Sequence, residues 1–200
     1  MKMIFFDTET TGKIQPWTLP PTEFKKYPRI VSLAYEVTDE KFNVIESGHS
    51  IIHPDGSAPS SAEAFYIHGI TEMDRIMKGK RLKDVLNEFW NLVGNCDYFV
   101  AHNLEFDLKM VSSETKRLRL PYKFPETGGI CTMKIGKDMV KLPHRRKNRD
   151  GYKNPKLAEL YRFIFDEDFE NAHDAAADVT ACRKCFERMV QYQSLNILKL

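Results

Sequence analysis

The alternation of apolar and polar residues predicts strands early in the chain and helices mainly in its second half. Short apolar runs indicate strands at Lys2–Phe6, Ile30–Val37, Val44–Ile52, Tyr98–Ala101 and Ile130–Met133. Apolar residues three and four apart indicate helices at Leu82–Val93, Leu104–Leu118, Pro155–Phe165 and Ala175–Gln191. The turn-like "TDEK" between the second and third strands is typical of a hairpin. This order predicts an α/β fold with a mixed sheet that is flanked by helices.

Two acidic residues end the first predicted strand. Asp7 and Glu9 directly follow the apolar run Met3–Phe6, with one residue between them. Because side chains alternate between the two faces of a strand, both carboxylates point the same way. Like charges this close disfavour each other's ionisation unless a positive charge lies between them. The pair therefore indicates that a cation belongs at the end of this strand.

A third acid lies on the apolar face of a predicted helix. Asp107 is three residues past Leu104 and four before Val111, and those two residues belong to the apolar stripe. Lys109 points elsewhere and is expected to be solvated. Asn103, just before the helix, is a residue type that favours the N-cap position, so we expect its side chain to cap this helix.

A fourth acid lies on or at the edge of the apolar face of the last helix. That face consists of Ala175, Val179, Cys182, Phe186 and Met189. Asp178 is three residues past the first member of this stripe and four before Cys182. Asp174 stands where it can cap the same helix.

Together the four acids form a candidate metal site. An isolated buried carboxylate is costly, and it normally protonates or pairs with a cation. The chain has no basic residues at matching inward positions, although a helix-rim position or an unseen arginine stays open for any one acid. Carboxylates from three separated segments are oxygen ligands suited to Mg²⁺ or Mn²⁺. Two such ions would stabilise the attacking and leaving oxygens of a phosphodiester displacement.

The composition is that of one ordinary globular domain, which we take as residues 1–200. The net charge of +2 carries no information about partners, so any preference for nucleic acid must come from local clustering. No segment approaches the roughly 20 apolar residues that span a bilayer. The first apolar run is too short for a signal peptide. We therefore expect a cytoplasmic protein that does not contact membranes.

The four cysteines are expected to be reduced thiols. Cys182 and Cys185 have the spacing of half a zinc site or of a redox pair. A second cysteine pair and a βαβ setting are both lacking, which favours the alternative that they are two small helix residues.

Three ordered motifs resemble the DEDDh branch of the DnaQ-like 3′→5′ exonucleases. They are "DTETTG" at 7–12, "AHNLEFD" at 101–107 and "HDAAAD" at 173–178, and the similarity extends over about residues 2–190. By pattern the chain is most similar to the epsilon proofreading subunits of bacterial DNA polymerase III. "EAFYIHGIT", "ICTMKI" and "KLAELYRFIF" resemble further segments of the family. The implied fold is ribonuclease H-like, a five-stranded mixed sheet with helices on both sides.

The resemblance implies a catalytic role for each motif residue. Asp7, Glu9 and Asp178 would hold the tighter of two ions, Mg²⁺ or Mn²⁺. Asp7 would bridge to the second ion, and Asp107 would support that ion. His173 would be the general base that deprotonates the attacking water, a role that suits a neutral imidazole near pH 7.

The resemblance also implies contacts with the terminal nucleotide. The matching positions are Thr8, Glu9, Thr10, Glu63, His68, Ile70, Asn103 and His173. Glu9 and the backbone around Thr8 would contact the 3′-hydroxyl, and Ile70 would wedge against the last base. For Glu63 and Ile70, an ordinary place on a helix surface and in the core is the alternative.

Two long connections and the chain end depart from the simplest family members. Lys13–Pro28 contains Trp17, which either stacks on a base or packs the loop. Lys141–Lys153 is basic and either follows a phosphate backbone or is a solvated loop. Its charged residues are His144, Arg145, Arg146, Lys147, Arg149 and Lys153. Because the chain ends soon after its last motif, we do not expect membership of a replicative polymerase complex.

The sequence thus predicts a metal-dependent 3′→5′ exonuclease that releases nucleoside 5′-monophosphates from single-stranded DNA by two-metal hydrolysis. An exoribonuclease is the alternative, which depends on tolerance of a 2′-hydroxyl at the terminal sugar. A catalytically silent binding module would lack a metal ligand, whereas all four acids and the histidine are present. A two-carboxylate glycosidase explains neither Asp107 nor Asp178.

Overall fold

A mixed sheet of five strands forms the centre of the computed structural model, which describes residues 1–144 and 151–193. The strands are β1 (Met3–Thr10), β2 (Ile30–Thr38), β3 (Val44–Ile51), β4 (Tyr98–Ala101) and β5 (Gly129–Cys131). Their order is β3-β2-β1-β4-β5. β1 pairs antiparallel with β2 and parallel with β4. β3 completes the predicted hairpin with β2, and β5 lies parallel to β4.

Seven α-helices surround the sheet in the described part of the chain. They are α1 (Ala62–His68), α2 (Glu72–Lys78), α3 (Leu82–Gly94), α4 (Leu104–Arg117), α5 (Thr132–Val140), α6 (Leu157–Phe165) and α7 (Ala175–Gln193). The four helices that the periodicity predicts are α3, α4, α6 and α7. The predicted α/β architecture, a five-stranded mixed sheet flanked by helices, is confirmed.

The alternation of side chains along β1 divides the core into two layers. Ile4 and Phe6 pack in the cluster that holds α3 and α4. Met3 and Phe5 pack on the other face, against α7. All four side chains are at most 1% exposed, so β1 is buried on both faces. This division decides which helix each residue at the end of β1 meets.

Three helices and one turn element are missing from the prediction. α1 has no buried residue, so it carries no apolar stripe, and α2 buries only Arg75. The apolar run Ile130–Met133 spans the end of β5 and the start of α5, and therefore is not one strand. The connection Lys13–Pro28 contains a 3-10 helix, Pro21–Lys26.

Several remaining expectations have clear outcomes. Cys182 and Cys185 are buried free thiols on α7, as the helix-packing alternative requires. Arg145, Arg146, Lys147 and Arg149 lie outside the described residues. The side chain of Lys153 forms an ion pair with Glu159. Within the described ranges, no helix has both the length and the apolar character needed to cross a membrane.

Candidate metal and substrate site

Three carboxylates meet where β1 ends beside α7. Asp7 and Glu9 continue the face of β1 that Met3 and Phe5 present to α7, and Asp178 lies in the first turn of that helix. One carboxylate oxygen from each acid lies within 4.8 Å of the other two. The structure therefore brings together three of the four acids that the sequence singles out, at a spacing that suits a shared cation.

The fourth acid approaches β1 from the opposite layer. Thr8 points toward α4, where its backbone N–H and its hydroxyl donate to Asp107 Oδ1 at 3.1 and 2.8 Å. The Asp107 side chain is fixed by these bonds and is only 2% exposed. Asp107 does not belong to the group of three oxygens, but its charge acts on Asp7 through the strand end.

Burial and mutual repulsion disfavour ionisation of all four acids. Burial, followed by the charge of Asp107, raises the pKa of Asp7 well above its ordinary value. Burial, followed by the charge of Asp178, raises the pKa of Glu9 to about 8. Burial also raises the pKa of Asp107 to about 7 and that of Asp178 to about 6. A divalent cation would reverse these shifts, because it favours the charged forms.

The acids lack the partners that would otherwise compensate their charge. None of the salt bridges among the described residues includes one of the four carboxylates. Asp7 Oδ2 is buried and has no hydrogen-bond partner among residues 1–144 and 151–193. A buried carboxylate oxygen without a donor is costly. The residues present therefore fit a divalent cation.

His173 lies beside the acids and is accessible. Its backbone adopts a left-handed conformation with φ 74°, and its N–H donates to Asp178 Oδ1 at 3.3 Å. Asp174 caps α7 as predicted, because its Oδ1 accepts from the N–H groups of Ala176 and Ala177 at 3.0 and 3.1 Å. The cap and the backbone bond hold the exposed imidazole-bearing residue next to the carboxylate of Asp178.

A cavity of about 670 Å³ opens beside the carboxylates. Six of the predicted substrate positions line it: Thr8, Glu9, Thr10, Glu63, His68 and Asn103. Ile70, the predicted wedge, is not among its lining residues, whereas Ile67 is. Ile67 precedes His68 on the same turn of α1, so its side chain reaches the cavity while Ile70 lies beyond the helix end.

Asn103 does not cap α4 through its side chain as predicted. β4 ends at Ala101 and α4 begins at Leu104, so two residues must reverse the chain direction. Asn103 does this in the left-handed region with φ 69°, and its carbonyl accepts from Phe106 N–H at 2.9 Å. Asparagine tolerates this conformation better than most residues. The turn places Asn103 in the cavity wall.

An aromatic pair, Trp17 and Phe106, forms part of the cavity wall, and a lysine lies against it. The rings of Trp17 and Phe106 are parallel within 4° at a centroid distance of 6.4 Å. The Lys109 ammonium lies 4.2 Å from the Trp17 ring centroid and donates to the Trp17 carbonyl at 2.7 Å. The expectation that Lys109 is solvated is wrong, because the loop around Trp17 covers it. The Trp17 side chain itself remains 42% exposed.

His102 is a half-buried histidine to which the sequence pattern assigns no role. Its Nε2 lies 3.0 Å from the Pro155 carbonyl oxygen, and its Nδ1 lies 3.0 Å from Thr132 Oγ1. A carbonyl only accepts, so Nε2 carries the proton and Nδ1 accepts from Thr132. Burial lowers the pKa of His102 to about 4, so the ring is neutral and ties the end of β4 to the start of α5.

The chain has a ribonuclease H-like fold with a cluster of carboxylates at the end of β1. The chain belongs to the exonuclease family, whose model (RNase_T, Exonuclease) matches residues 4–186. The DnaQ-like exonuclease family predicted from the three motifs is thereby confirmed. No curated protein sequence matches the chain at a significant level.

Solved structures of exonuclease I have a similar fold. The Escherichia coli enzyme in complex with a dT13 oligonucleotide has a TM-score of 0.72 and 21% identity, over 96% of this chain and 42% of that chain. A zinc-bound complex of the E. coli enzyme with single-stranded DNA has a TM-score of 0.72 and 20% identity, over 99% of this chain and 42% of that chain. A product-bound structure of exonuclease I has a TM-score of 0.74 and 20% identity, over 99% of this chain and 45% of that chain. The chain thus spans less than half the length of these proteins.

Proposed function

We propose that this protein is a metal-dependent 3′→5′ exonuclease that releases nucleoside 5′-monophosphates from single-stranded DNA. The observation that carries this proposal is the meeting of carboxylate oxygens from Asp7, Glu9 and Asp178 within 4.8 Å, beside a cavity that Glu9 lines. Family membership supports the exonuclease activity. Single-stranded DNA is supported by the similar structures, in which exonuclease I is bound to single-stranded oligonucleotides.

The four acids would hold the metal ions. Asp7, Glu9 and Asp178 fit one divalent cation, and the unpartnered Oδ2 of Asp7 fits a ligand role. Asp107, held by Thr8 on the other side of β1, fits the support of a second ion. Mg²⁺ or Mn²⁺ suits this all-oxygen set. When bound, divalent cations stabilise negative charge on the phosphodiester and make a nearby water more acidic.

His173 would accept the proton of the attacking water. Its side chain is exposed, and the residue neighbours the carboxylate of Asp178. A positioned base of this kind contributes roughly 10²–10⁴ in rate. The bond from its backbone N–H to Asp178 Oδ1 holds this residue next to the acids.

The cavity wall would hold the terminal nucleotide. Thr8 and Glu9 line the cavity, and Glu9 and the Thr8 backbone would contact the 3′-hydroxyl. His68 Nδ1 accepts from Ile70 N–H at 3.0 Å, so its Nε2 carries the proton, and this buried donor has no partner in the described part of the chain. Glu63 is paired with Lys13 at 2.6 Å, which places a matched charge pair at the cavity edge.

A degradation assay tests the proposal. 5′-labelled DNA and RNA oligonucleotides, with free or phosphorylated 3′ ends, are incubated with Mg²⁺, Mn²⁺, Zn²⁺ or chelator. We expect stepwise shortening of the free-ended DNA from its 3′ end, loss of activity in chelator, and no shortening by Asp7→Ala. Glu40→Ala, at the far end of the sheet, is the matched control and keeps full activity. Activity in Asp7→Ala equal to that of the control would refute the proposal.

A further inference from the structure

A second cavity, of about 690 Å³, adjoins the site cavity. Lys13 and Gln15 line both, so the two cavities are neighbours. One side of the second cavity is the segment Phe24–Arg29, which contains the end of the 3-10 helix. The other side is the loop at Ser57 and Ala58. The residue that follows β1 contacts this cavity's lining, because Thr11 N–H donates to the Arg29 carbonyl at 2.8 Å. We call this second cavity the basic cleft.

The lining of the basic cleft is positively charged. Among the described residues, its lining contains five cationic side chains and no carboxylate, and the cations are Lys13, Lys25, Lys26, Arg29 and Arg117. The site cavity, in contrast, has Glu9 and Glu63 in its wall. A depression with walls of one sign concentrates field lines and attracts a ligand of opposite charge. The charges therefore point to an anionic ligand.

Two arginines give the cleft a rigid positive wall. Glu114, which is 0% exposed, accepts from Arg29 Nε at 2.7 Å and lies 2.5 Å from Arg117 Nη1. Two guanidinium groups thus share one carboxylate, and one positive charge remains uncompensated. Arg117 also donates to the carbonyl of Phe24, which fixes the 3-10 helix against α4. These arginines are part of the protein's internal structure and are present before any ligand binds.

Two lysines at the end of the 3-10 helix are free to contact a ligand. Lys25 and Lys26 are both exposed. Lys26 forms a surface pair with Glu23 at 3.1 Å, and Lys25 has no ion pair among the described residues. Exposed pairs of this kind contribute little stability, so a polyanion can replace the carboxylate at small cost.

We propose that the basic cleft binds the phosphodiester backbone of a single strand upstream of the nucleotide in the site cavity. This inference rests on the proposed function and deepens it. A strand whose 3′ end occupies the site cavity would pass Lys13 and Gln15, which line both cavities, and then meet the cations of the cleft that Glu63 does not neutralise. Its repeated phosphates match a row of cations that discriminates no base, which is the form of sequence-independent binding.

The test compares two double variants of equal charge change. Lys25→Gln with Lys26→Gln removes the two mobile cations of the cleft. Lys2→Gln with Lys41→Gln is the control, because both lysines are exposed and lie at the end of the sheet opposite the acids. The affinity for a long fluorescent oligothymidylate is measured by anisotropy in Ca²⁺ at several salt concentrations. The hydrolysis of thymidine 5′-monophosphate p-nitrophenyl ester, too small to reach the cleft, reports on the catalytic site.

The expected result is a change in salt dependence that is confined to the cleft variant. Each lost phosphate contact reduces the slope of log K against log salt by about 0.7 on single strands, so two contacts reduce it by about 1.4. Extrapolated from 1 M salt, this corresponds to roughly 25-fold weaker binding at 0.1 M. Hydrolysis of the small ester stays within about twofold of the wild type.

The outcomes separate this inference from the proposed function. If the wild type hydrolyses the ester and binds the oligonucleotide but the two double variants have equal slopes, the cleft inference is overturned and the proposed function stands. If the wild type hydrolyses no ester and no oligonucleotide with any divalent ion, the proposed function fails, and the inference fails with it. Equal melting temperatures of the variants show that folding is not the cause.

Discussion

Thr8 donates two hydrogen bonds to one oxygen of Asp107, from its backbone N–H at 3.1 Å and from its hydroxyl at 2.8 Å. Thr8 stands between Asp7 and Glu9 on β1, and Asp107 comes from α4 on the other side of the sheet. Thr8 therefore fixes Asp107, the acid that lies outside the group formed by Asp7, Glu9 and Asp178. The two bonds fix the end of β1 relative to the first turn of α4, and with it the position of Asp107 relative to Asp7 and Glu9.

Removal of the Thr8 hydroxyl tests this positioning. Thr8→Val keeps the branched side chain and the backbone N–H bond to Asp107 but loses the bond from the hydroxyl, and a bond to a charged group is worth about 1.5–3 kcal/mol. We expect a lower kcat and, at pH 8, where Asp107 with its pKa of about 7 is ionised, a lower melting temperature. Thr8→Ser keeps the hydroxyl and should retain most of both. An unchanged kcat in Thr8→Val would contradict the positioning role.

His173→Ala tests the proton acceptor. If the imidazole removes the proton of the attacking water, kcat should fall by roughly 10²–10⁴. Binding of Mn²⁺, measured by calorimetry, should stay unchanged, because the proposed ligands are carboxylates. A decrease in kcat below about tenfold would argue against a general base at this position.

The pH dependence of stability tests the electrostatics of the metal-free site. The pKa of Glu9 is raised from 4.5 to about 8, so between these values the folded state binds more protons than the unfolded state. The free energy of unfolding in chelator therefore falls as pH rises through this window. Glu9→Gln removes this loss, and we expect it to raise the melting temperature in chelator at pH 8 but not at pH 4.5.

Divalent metal should act in the opposite direction in the wild type. Because the ions bind only the folded, ionised site, millimolar Mg²⁺ or Mn²⁺ should raise the melting temperature more at pH 8 than at pH 5. Glu9→Gln should lose most of this gain. A wild-type gain that is independent of pH, or one that persists in Glu9→Gln, would contradict the ligand assignment.

Trp17 should stack on a base of the substrate. Its ring is supported by Phe106 and Lys109 and is still 42% exposed at the site cavity. Stacking of a base on an aromatic side chain is worth about 1–3 kcal/mol, so Trp17→Ala should raise KM by roughly 5–150-fold. Trp17→Phe should recover most of the loss. An oligonucleotide with abasic terminal positions has no base to stack, so Trp17→Ala and Trp17→Phe should have the same KM for it. A large rise in KM for this substrate in Trp17→Ala would instead indicate that Trp17 packs the loop.

The parts of the fold that bury an apolar face were predictable from the sequence. β4 coincides with its predicted range, and α3 and α7 differ from theirs by at most two residues, because their apolar periodicity records burial. α1 has no buried residue, so no periodicity marks it. α5 follows β5 without a break, and a continuous apolar run cannot show where a strand becomes a helix.

The acids of the site were predictable for a related reason. Asp107 and Asp178 interrupt apolar stripes, and an acid in such a place requires a partner. The tertiary features were not predictable: the bond from Thr8 to Asp107, the cover that Trp17 provides for Lys109, and the pairing of Arg29 with Glu114. Each joins residues far apart in the sequence, and none leaves a periodic signal.

The most direct test of the metal centre is anomalous diffraction from crystals soaked in Mn²⁺. The account predicts a strong anomalous peak within about 2.0–2.6 Å of oxygens from Asp7, Glu9 and Asp178. It predicts a second peak on the side of Asp7 that faces Asp107, and loss of both peaks in Asp7→Ala. Crystals that diffract well and show Mn²⁺ elsewhere on the protein, but no peak among these carboxylates, would contradict the account.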